Sequence, residues 1–336
     1  MKAHVLPLET AWRPLLLIAA IGSAATVLTV LAANLTGADF ILWFNDANDI
    51  LLVEAMYLLG LALVWDSALI AAHAARRLLP ARSATPTGLA ASWKRLGFFS
   101  LGPLPLALIL LTSAIVIGTA NLTLISLERL HDNPAWRDPL FWSIESPLFA
   151  WLSTAHLDIR VWERIYHGAW PIELFAVFVL LLLGRNLRQV AGFCFSFILL
   201  FYLGRFLGLI NPVMGPAFFR PDFFPQLAGS ISGTAMHLVA QVMADPANAR
   251  RSAVLLGGVS AMPSLHVGMV ALTAYWLWQA RRWTAWLTLP WVALVWMATI
   301  ILGWHYLLDG VGGIALAGLC VLFTQSVCGA RLKKPT

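Results

Sequence analysis

The sequence predicts an all-α polytopic membrane protein with about eight transmembrane helices, and three observations carry that prediction. Of 336 residues, 60% are hydrophobic and 11% charged, and mean hydropathy is +0.79. A soluble domain carries roughly 45–50% apolar and about 25% charged residues. The apolar residues also fall into runs long enough to cross a bilayer core, for which about 20 suffice. The runs are continuous rather than alternating, which argues against a membrane β-barrel. A cytosolic enzyme, a nucleic-acid-binding domain and a disordered chain are excluded by the same balance.

The elements follow in order. Runs at 14–33 and 50–75 form an N-terminal helix pair, 1–75. The first run has no small-residue cleavage site before the next polar stretch, so it reads as a helix and not as a signal peptide. A basic linker, 76–97, carries Pro80, Ser83, Thr85, Pro86 and Thr87. Six runs at 98–120, 168–184, 190–210, 264–280, 284–302 and 304–327 then form a core over 98–327, followed by a tail, 328–336. Between them lie long loops at 121–167 and 211–263. Segment 139–166 contains Trp142, Phe149, Trp151 and Trp162 and predicts one or two helices lying at the interface. Their rings would sit at head-group level, as an aromatic belt or a lipid-binding face.

Charge orients the bundle. Segments 1–13, 76–97, 185–189, 281–283 and 328–336 hold Lys2, Arg13, Arg76, Arg77, Arg82, Lys94, Arg95, Arg185, Arg188, Arg281, Arg282, Arg331, Lys333 and Lys334, against one acid, Glu9. The intervening loops hold most of the acids, including Asp46, Glu128, Asp138, Glu145, Glu163 and Asp222. Basic loops stay in the cytoplasm. Both termini are therefore expected inside, and the two long loops outside, in a plasma or inner membrane. The net charge of +6 then marks cytoplasmic loops and not a nucleic-acid partner. Cys194, Cys320 and Cys328 lie in or beside apolar runs and form neither a disulfide framework nor a metal spacing.

Two stretches carry chemistry. At the outer mouth of the sixth span lies Ala261-Met262-Pro263-Ser264-Leu265-His266-Val267-Gly268. Pro suits a first helical turn, whose free N–H groups and dipole attract an anion. Ser264 adds a hydroxyl, and His266 would stand beside any phosphate held there. At the mouth of the eighth span lies Gly303-Trp304-His305-Tyr306-Leu307-Leu308-Asp309-Gly310. His305 and Asp309, four apart, would share one helix face. The carboxylate would accept a hydrogen bond from one imidazole nitrogen and leave the other free to attack. Two imidazoles and one acid beside a helix N-terminus suit phosphoryl transfer through a phosphohistidine. Taken singly, an interfacial His is often an amphipathic anchor, and an i, i+4 His–Asp pair a local hydrogen bond. Their order and common face favour the catalytic reading.

The Pro263-Ser264-Leu265-His266 stretch, followed by His305-x-x-x-Asp309, resembles the second and third motifs of the type 2 phosphatidic acid phosphatase superfamily. That family includes lipid phosphate phosphatases, undecaprenyl pyrophosphate phosphatases, and inositol phosphorylceramide and sphingomyelin synthases. The resemblance implies a six-helix core over about 98–327, with His305 the nucleophile, Asp309 its orienting partner and His266 the acid. Ser264 and Leu265 would hold phosphate. The phosphatase branch carries K-x6-R-P and S-R-x5-H. Here Arg220-Pro221 fits the first ending, but Val213 replaces the Lys, and Ala298 and Thr299 replace Ser-Arg. The Pro-rich stretch 211–219 instead resembles the inositol phosphorylceramide synthase-like branch. Fewer cations suit a phosphodiester, which carries less charge than a monoester.

Arg205 and Arg220 are the remaining candidate phosphate contacts, with Arg250 and Arg251 more remote. An intramembrane Arg usually faces a polar cavity, which favours Arg205 as a phosphate contact over a snorkelling side chain or an ion pair with Glu173. Glu54 and Asp66, in the second span, have no assigned catalytic role. Asn34-Leu35-Thr36 fits a glycosylation sequon. No cofactor is implied and no metal, since no carboxylate-rich or His/Cys ligand set appears. The expected activity is transfer of a phosphoryl or phospho-alcohol group from a lipid donor to an alcohol, or to water in a lipid phosphatase. The partners are then a lipid phosphate or phosphodiester and the bilayer. A transporter or a structural subunit on the same scaffold is the alternative, but the chain lacks the internal repeats common in transporters.

Overall fold

The computed structural model describes residues 13–41, 45–78, 104–132, 135–155, 157–184, 187–245 and 259–327. Every regular element among them is helical. Apart from three short 3-10 turns, the helices in order are α1 (Arg13–Thr36), α2 (Asn45–Leu78), α3 (Leu104–Ile117), α4 (Ala120–Asp132), α5 (Asp138–Thr154), α6 (Ile159–Gly184) and α7 (Leu187–Ile210). After them come α8 (Pro216–Phe219), α9 (Ile231–Ala244), α10 (Leu265–Ala280), α11 (Ala285–Ile301) and α12 (Leu307–Val327). Most of the 76–97 linker and the 328–336 tail, with Cys328, lie outside the described residues, as do Arg250 and Arg251.

Six helical stretches are long and apolar enough to cross a membrane: Leu15–Thr36, Leu104–His131, Ile159–Leu181, Leu187–Ile210, Arg282–Ile301 and Leu307–Val327. Two boundaries differ from the sequence reading. The stretch from 121, expected as loop, continues as α4 past a short break at Gly118 and Thr119. Its polar residues looked loop-like, but they are buried and satisfied within the bundle. Ser126 donates to the Leu122 carbonyl at 2.8 Å. The Asn121 amide clasps the Ile41 backbone, accepting from its N–H at 2.8 Å and donating to its carbonyl at 2.9 Å. That clasp fastens the N-terminal pair to the core. The fourth run, expected from 168, begins at Ile159 as α6, so Glu163, Tyr166 and His167 ride on a long helix. Segment 139–166 thus divides between α5 and the first turns of α6.

The core is a bundle of α3, α6, α7, α10 and α12 around Trp276, Phe193, Leu200, Leu272 and Cys320. Small residues permit the closest crossings. A Cβ on Gly192 would lie 2.3 Å from the Trp276 ring, so α7 and α10 meet through a glycine and a buried indole. The indole N–H donates to Ser196 at 3.0 Å, which leaves no polar atom stranded there. A second cluster, with Phe141, Phe149, Tyr166, Phe224 and Tyr306, caps the end of the bundle at which α10 and α12 begin.

Candidate active site

The site forms where α10 and α12 start side by side. A Cβ on Gly313 would lie 2.3 Å from the Ser264 carbonyl oxygen and 3.0 Å from the Gly268 nitrogen, so the two backbones touch. Small residues allow such approach between membrane helices. Ser264 ends the connecting segment as the N-cap of α10, and its hydroxyl accepts from the Val267 N–H. Pro263 therefore precedes the cap and does not open the first turn as the sequence suggested. Helix geometry leaves the Leu265 and His266 N–H groups without an intrahelical acceptor. The Leu265 side chain itself packs near Gly204 of α7.

His305 departs from the expected arrangement. It precedes α12, which begins at Leu307, so it does not share a helix face with Asp309. The turn is set by the Thr299 carbonyl, which accepts from Trp304 at 3.0 Å and His305 at 3.2 Å. His305 Nδ1 donates to the Ala261 carbonyl at 3.0 Å. Asp309 Oδ2 stands 3.6 Å from the same nitrogen, an ion-pair distance beyond hydrogen-bond range. That oxygen accepts instead from the Tyr306 N–H at 2.8 Å, closing the first turn of α12 as a capping-box carboxylate does. Asp309 Oδ1 is buried and accepts no hydrogen bond among the described residues. The carboxyl thus fixes the turn that carries His305.

The two imidazoles face each other with ring centroids 6.4 Å apart, inclined at 56°. His305 is only 8% exposed, which excludes most bulk water. His266 Nδ1 meets the Tyr166 hydroxyl at 3.4 Å. The Tyr166 ring stacks on His266 at 4.5 Å and on Trp304 at 5.7 Å.

Three side chains that brace the site were not singled out by the sequence: Asp138, Glu145 and Tyr166. Asp138 accepts from the Met214 N–H at 2.8 Å, the Gly215 N–H at 3.0 Å and the Tyr306 hydroxyl at 3.2 Å. Glu145 accepts from the Leu307 and Leu308 N–H groups at 2.6 and 2.9 Å, so it occupies the N-terminus of α12. Burial holds both carboxyls above their ordinary range, against the backbone donors that pull them down. The one available signal was spacing. Positions 138, 141, 145 and 149 fall on one face of a helix, and two acids there share it with two Phe. Tyr166 left no such trace.

The positions that lack the family's cations carry the scaffold. The Val213 carbonyl accepts from Ala261 N–H at 2.6 Å, and the Ala261 carbonyl in turn holds His305. Gly215, at φ +109, lets the loop approach so closely that a Cβ would lie 2.5 Å from the Trp304 carbonyl oxygen. Arg205 is buried on α7 and turned toward Thr123 and the Thr119 carbonyl of the α3–α4 stretch, the Thr119 contact at 3.5 Å. Arg220 is clasped by Asp222 through two bonds of 2.9 and 2.7 Å and lies over the rings of Trp142 and Phe223. Among the described residues, no group of His, Cys, Asp and Glu could hold a metal ion.

A family model described as PAP2 superfamily matches residues 135–323, from just before α5 to within α12. No match was found among curated proteins or among solved structures.

Proposed function

The chain belongs to the PAP2 superfamily, and on that premise we propose that it transfers a phosphorus-containing group from a lipid donor through a phosphohistidine on His305. The observation that carries this reading is the facing pair of imidazoles, 6.4 Å apart, one of which has its Nδ1 committed to a carbonyl. The commitment leaves His305 Nε2 with its lone pair. That atom attacks phosphorus, an N–P bond forms, and the P–O bond to the leaving alcohol breaks. His266 gives the leaving oxygen its proton. In the second half the acceptor hydroxyl attacks the phosphohistidine, His266 takes its proton, and the N–P bond breaks. Ser264, the Leu265 amide and the start of α10 hold the phosphoryl oxygens. The Asp309 charge stabilises His305 as its ring becomes cationic.

The acceptor is an alcohol in the reading we favour. Asp309 lies beside the nucleophile, while contacts of Arg205 and Arg220 fall on Thr123 and Asp222. A doubly charged phosphomonoester is repelled by such a field more than a singly charged diester. The protein is then a phosphotransferase that moves a phosphoryl or phospho-alcohol head group. With water as acceptor, the same steps make a lipid phosphatase. The membrane frame is eight spans, adding α2 and α10 to the six apolar stretches. Arg281 and Arg282 follow the end of α10 remote from His266, which under the positive-inside rule supports a site on the exterior face and cytoplasmic termini.

The test uses the purified full-length protein with phosphorus-labelled phosphatidic acid and a labelled phosphodiester lipid, each with and without an alcohol acceptor. Movement of label into a new lipid is expected. Release of inorganic phosphate alone assigns the phosphatase, and no turnover of either substrate overturns the enzymatic reading.

A further inference from the structure

We propose that Tyr166 is a positioning residue, and that the two histidines take different roles because different groups hold their Nδ1 atoms. The inference rests on the phosphohistidine reading and deepens it. His305 Nδ1 faces the Ala261 carbonyl oxygen at 3.0 Å. A carbonyl only accepts, so Nδ1 must carry the hydrogen and Nε2 must present a lone pair. That is the state of a nucleophile, and the contact allows no other neutral form.

His266 Nδ1 faces the Tyr166 hydroxyl at 3.4 Å. A phenol both donates and accepts, so rotation of one O–H serves every state the ring must pass through. In a resting neutral ring with its hydrogen on Nε2, the nitrogen left for the phosphoryl group, the hydroxyl donates to Nδ1. Protonation at Nδ1 turns the hydroxyl round, and its oxygen then accepts from the imidazolium. Nε2 gives its proton to the departing oxygen as the P–O bond breaks, and the ring becomes neutral with hydrogen on Nδ1. Nε2 then takes the acceptor's proton and the imidazolium is restored. A carbonyl in place of the hydroxyl would forbid the resting form, and a carboxylate would favour the imidazolium throughout.

Packing makes the contact geometrically specific. Tyr166 is 5% exposed, and its ring lies between His266, at 28° to the imidazole plane, and Trp304, at 13° to the indole. The stack orients the plane of the His266 ring, and Trp304 immediately precedes His305. Tyr166 lies on α6, which packs on α10 alongside α7, α11 and α12, so its hydroxyl is delivered by an element that bears neither His266 nor His305.

The experiment is ring-nitrogen NMR of full-length protein labelled at histidine, in lipid nanodiscs, with His266→Ala and His305→Ala spectra as assignments. Turnover of the labelled phosphodiester lipid is followed in parallel. Wild-type His266 is expected with its hydrogen on Nε2 and His305 with its hydrogen on Nδ1. Tyr166→Phe keeps the stack and removes the hydroxyl. It should give His266 mixed tautomers, leave the His305 signals in place, and lower kcat by about tenfold to a hundredfold with KM little changed, a part of what acid–base catalysis supplies. Wild-type tautomers and kcat in a folded Tyr166→Phe protein would overturn the inference. If the wild-type protein turned over no lipid, the proposed function would fail, while the tautomer readout would still decide the Tyr166 contact.

Discussion

Ser264 donates its backbone N–H to the backbone carbonyl of Asp309 at 2.9 Å, so the two segments that carry the site's chemistry are joined by the main chain itself. The bond is possible because Gly313 and Gly268 leave room for the helices to touch one turn further in. The separation of the imidazoles is therefore set by glycine, at positions that take no part in the reaction.

Replacing Gly313 by Ala tests this directly. The new methyl meets the Ser264 carbonyl, a backbone atom that cannot swing aside. Overpacking of this kind costs about 1–3 kcal/mol. It should also push the mouths of α10 and α12 apart, because relief lies along the helix–helix axis. A lowered unfolding midpoint in detergent together with a fall in kcat is expected. Gly318→Ala, where a Cβ meets nothing within 4 Å, is the control and should change neither.

The Glu145 carboxyl gives stability a pH dependence of calculable sign. Burial raises it above its ordinary 4.5, so the folded protein keeps this proton to a higher pH than the unfolded chain does. Its effect on stability is most favourable below the ordinary value. It declines as pH rises through the interval between the unfolded and folded values. Glu145→Gln removes the titration. The apparent unfolding midpoint of the variant should depend less steeply on pH above 4.5 than that of the wild type, and an equal slope would show that another group is responsible.

Arg220 should matter little to turnover. It is bound on both sides of its guanidinium fork by Asp222 and spread over two rings, at the surface of the cap. Exposed pairs of this kind contribute little. Arg220→Ala is expected to change kcat/KM for a labelled phosphodiester by less than about fivefold, within the range of such surface pairs. A loss of two orders of magnitude would show that the clasp with Asp222 opens and the guanidinium reaches the phosphoryl group.

What could be seen in the sequence was whatever repeats or stands out along the chain. Continuous apolar runs give most ends of the long helices to within a few residues, though not the start of α6 or the continuation into α4, and short local patterns single out His266, His305 and Asp309. Contacts made by the backbone were not visible. Nothing in the spacing indicates that the Ala261 carbonyl, not Asp309, receives the His305 hydrogen, or that the Val213 carbonyl anchors Ala261. Asp138 and Glu145 were counted only as acids of an outer loop, because their partners are N–H groups some 76 and 162 residues away. Asn121, Thr123 and Ser126 made α4 look like a loop, since the partners that satisfy buried polar side chains do not appear in a hydropathy profile.

The division of labour between Asp309 and the Ala261 carbonyl yields the most discriminating variants. If the carbonyl alone orients His305, Asp309→Asn should spare the tautomer and remove only the charge. The asparagine oxygen can still accept from the Tyr306 N–H and hold the turn. On the proposed mechanism the lost charge is felt as the His305 ring becomes cationic on forming the N–P bond, so formation of the intermediate should slow. In hydrolytic triads, where the acid itself sets the tautomer, the corresponding change lowers kcat by about 10⁴. Here the loss should be smaller, about ten- to a thousandfold, in line with one electrostatic contact. His305→Ala removes the nucleophile and should abolish both turnover and the acid-labile phosphoprotein. His266→Ala should slow turnover by about 10²–10⁴, the usual share of acid–base catalysis, and still form labelled intermediate from a donor with a good leaving group. Rapid-quench measurement of the labelled protein separates the three variants. A labelled intermediate in folded His305→Ala would place the nucleophile elsewhere, and an Asp309→Asn protein as inactive as His305→Ala would return the orienting role to the carboxylate.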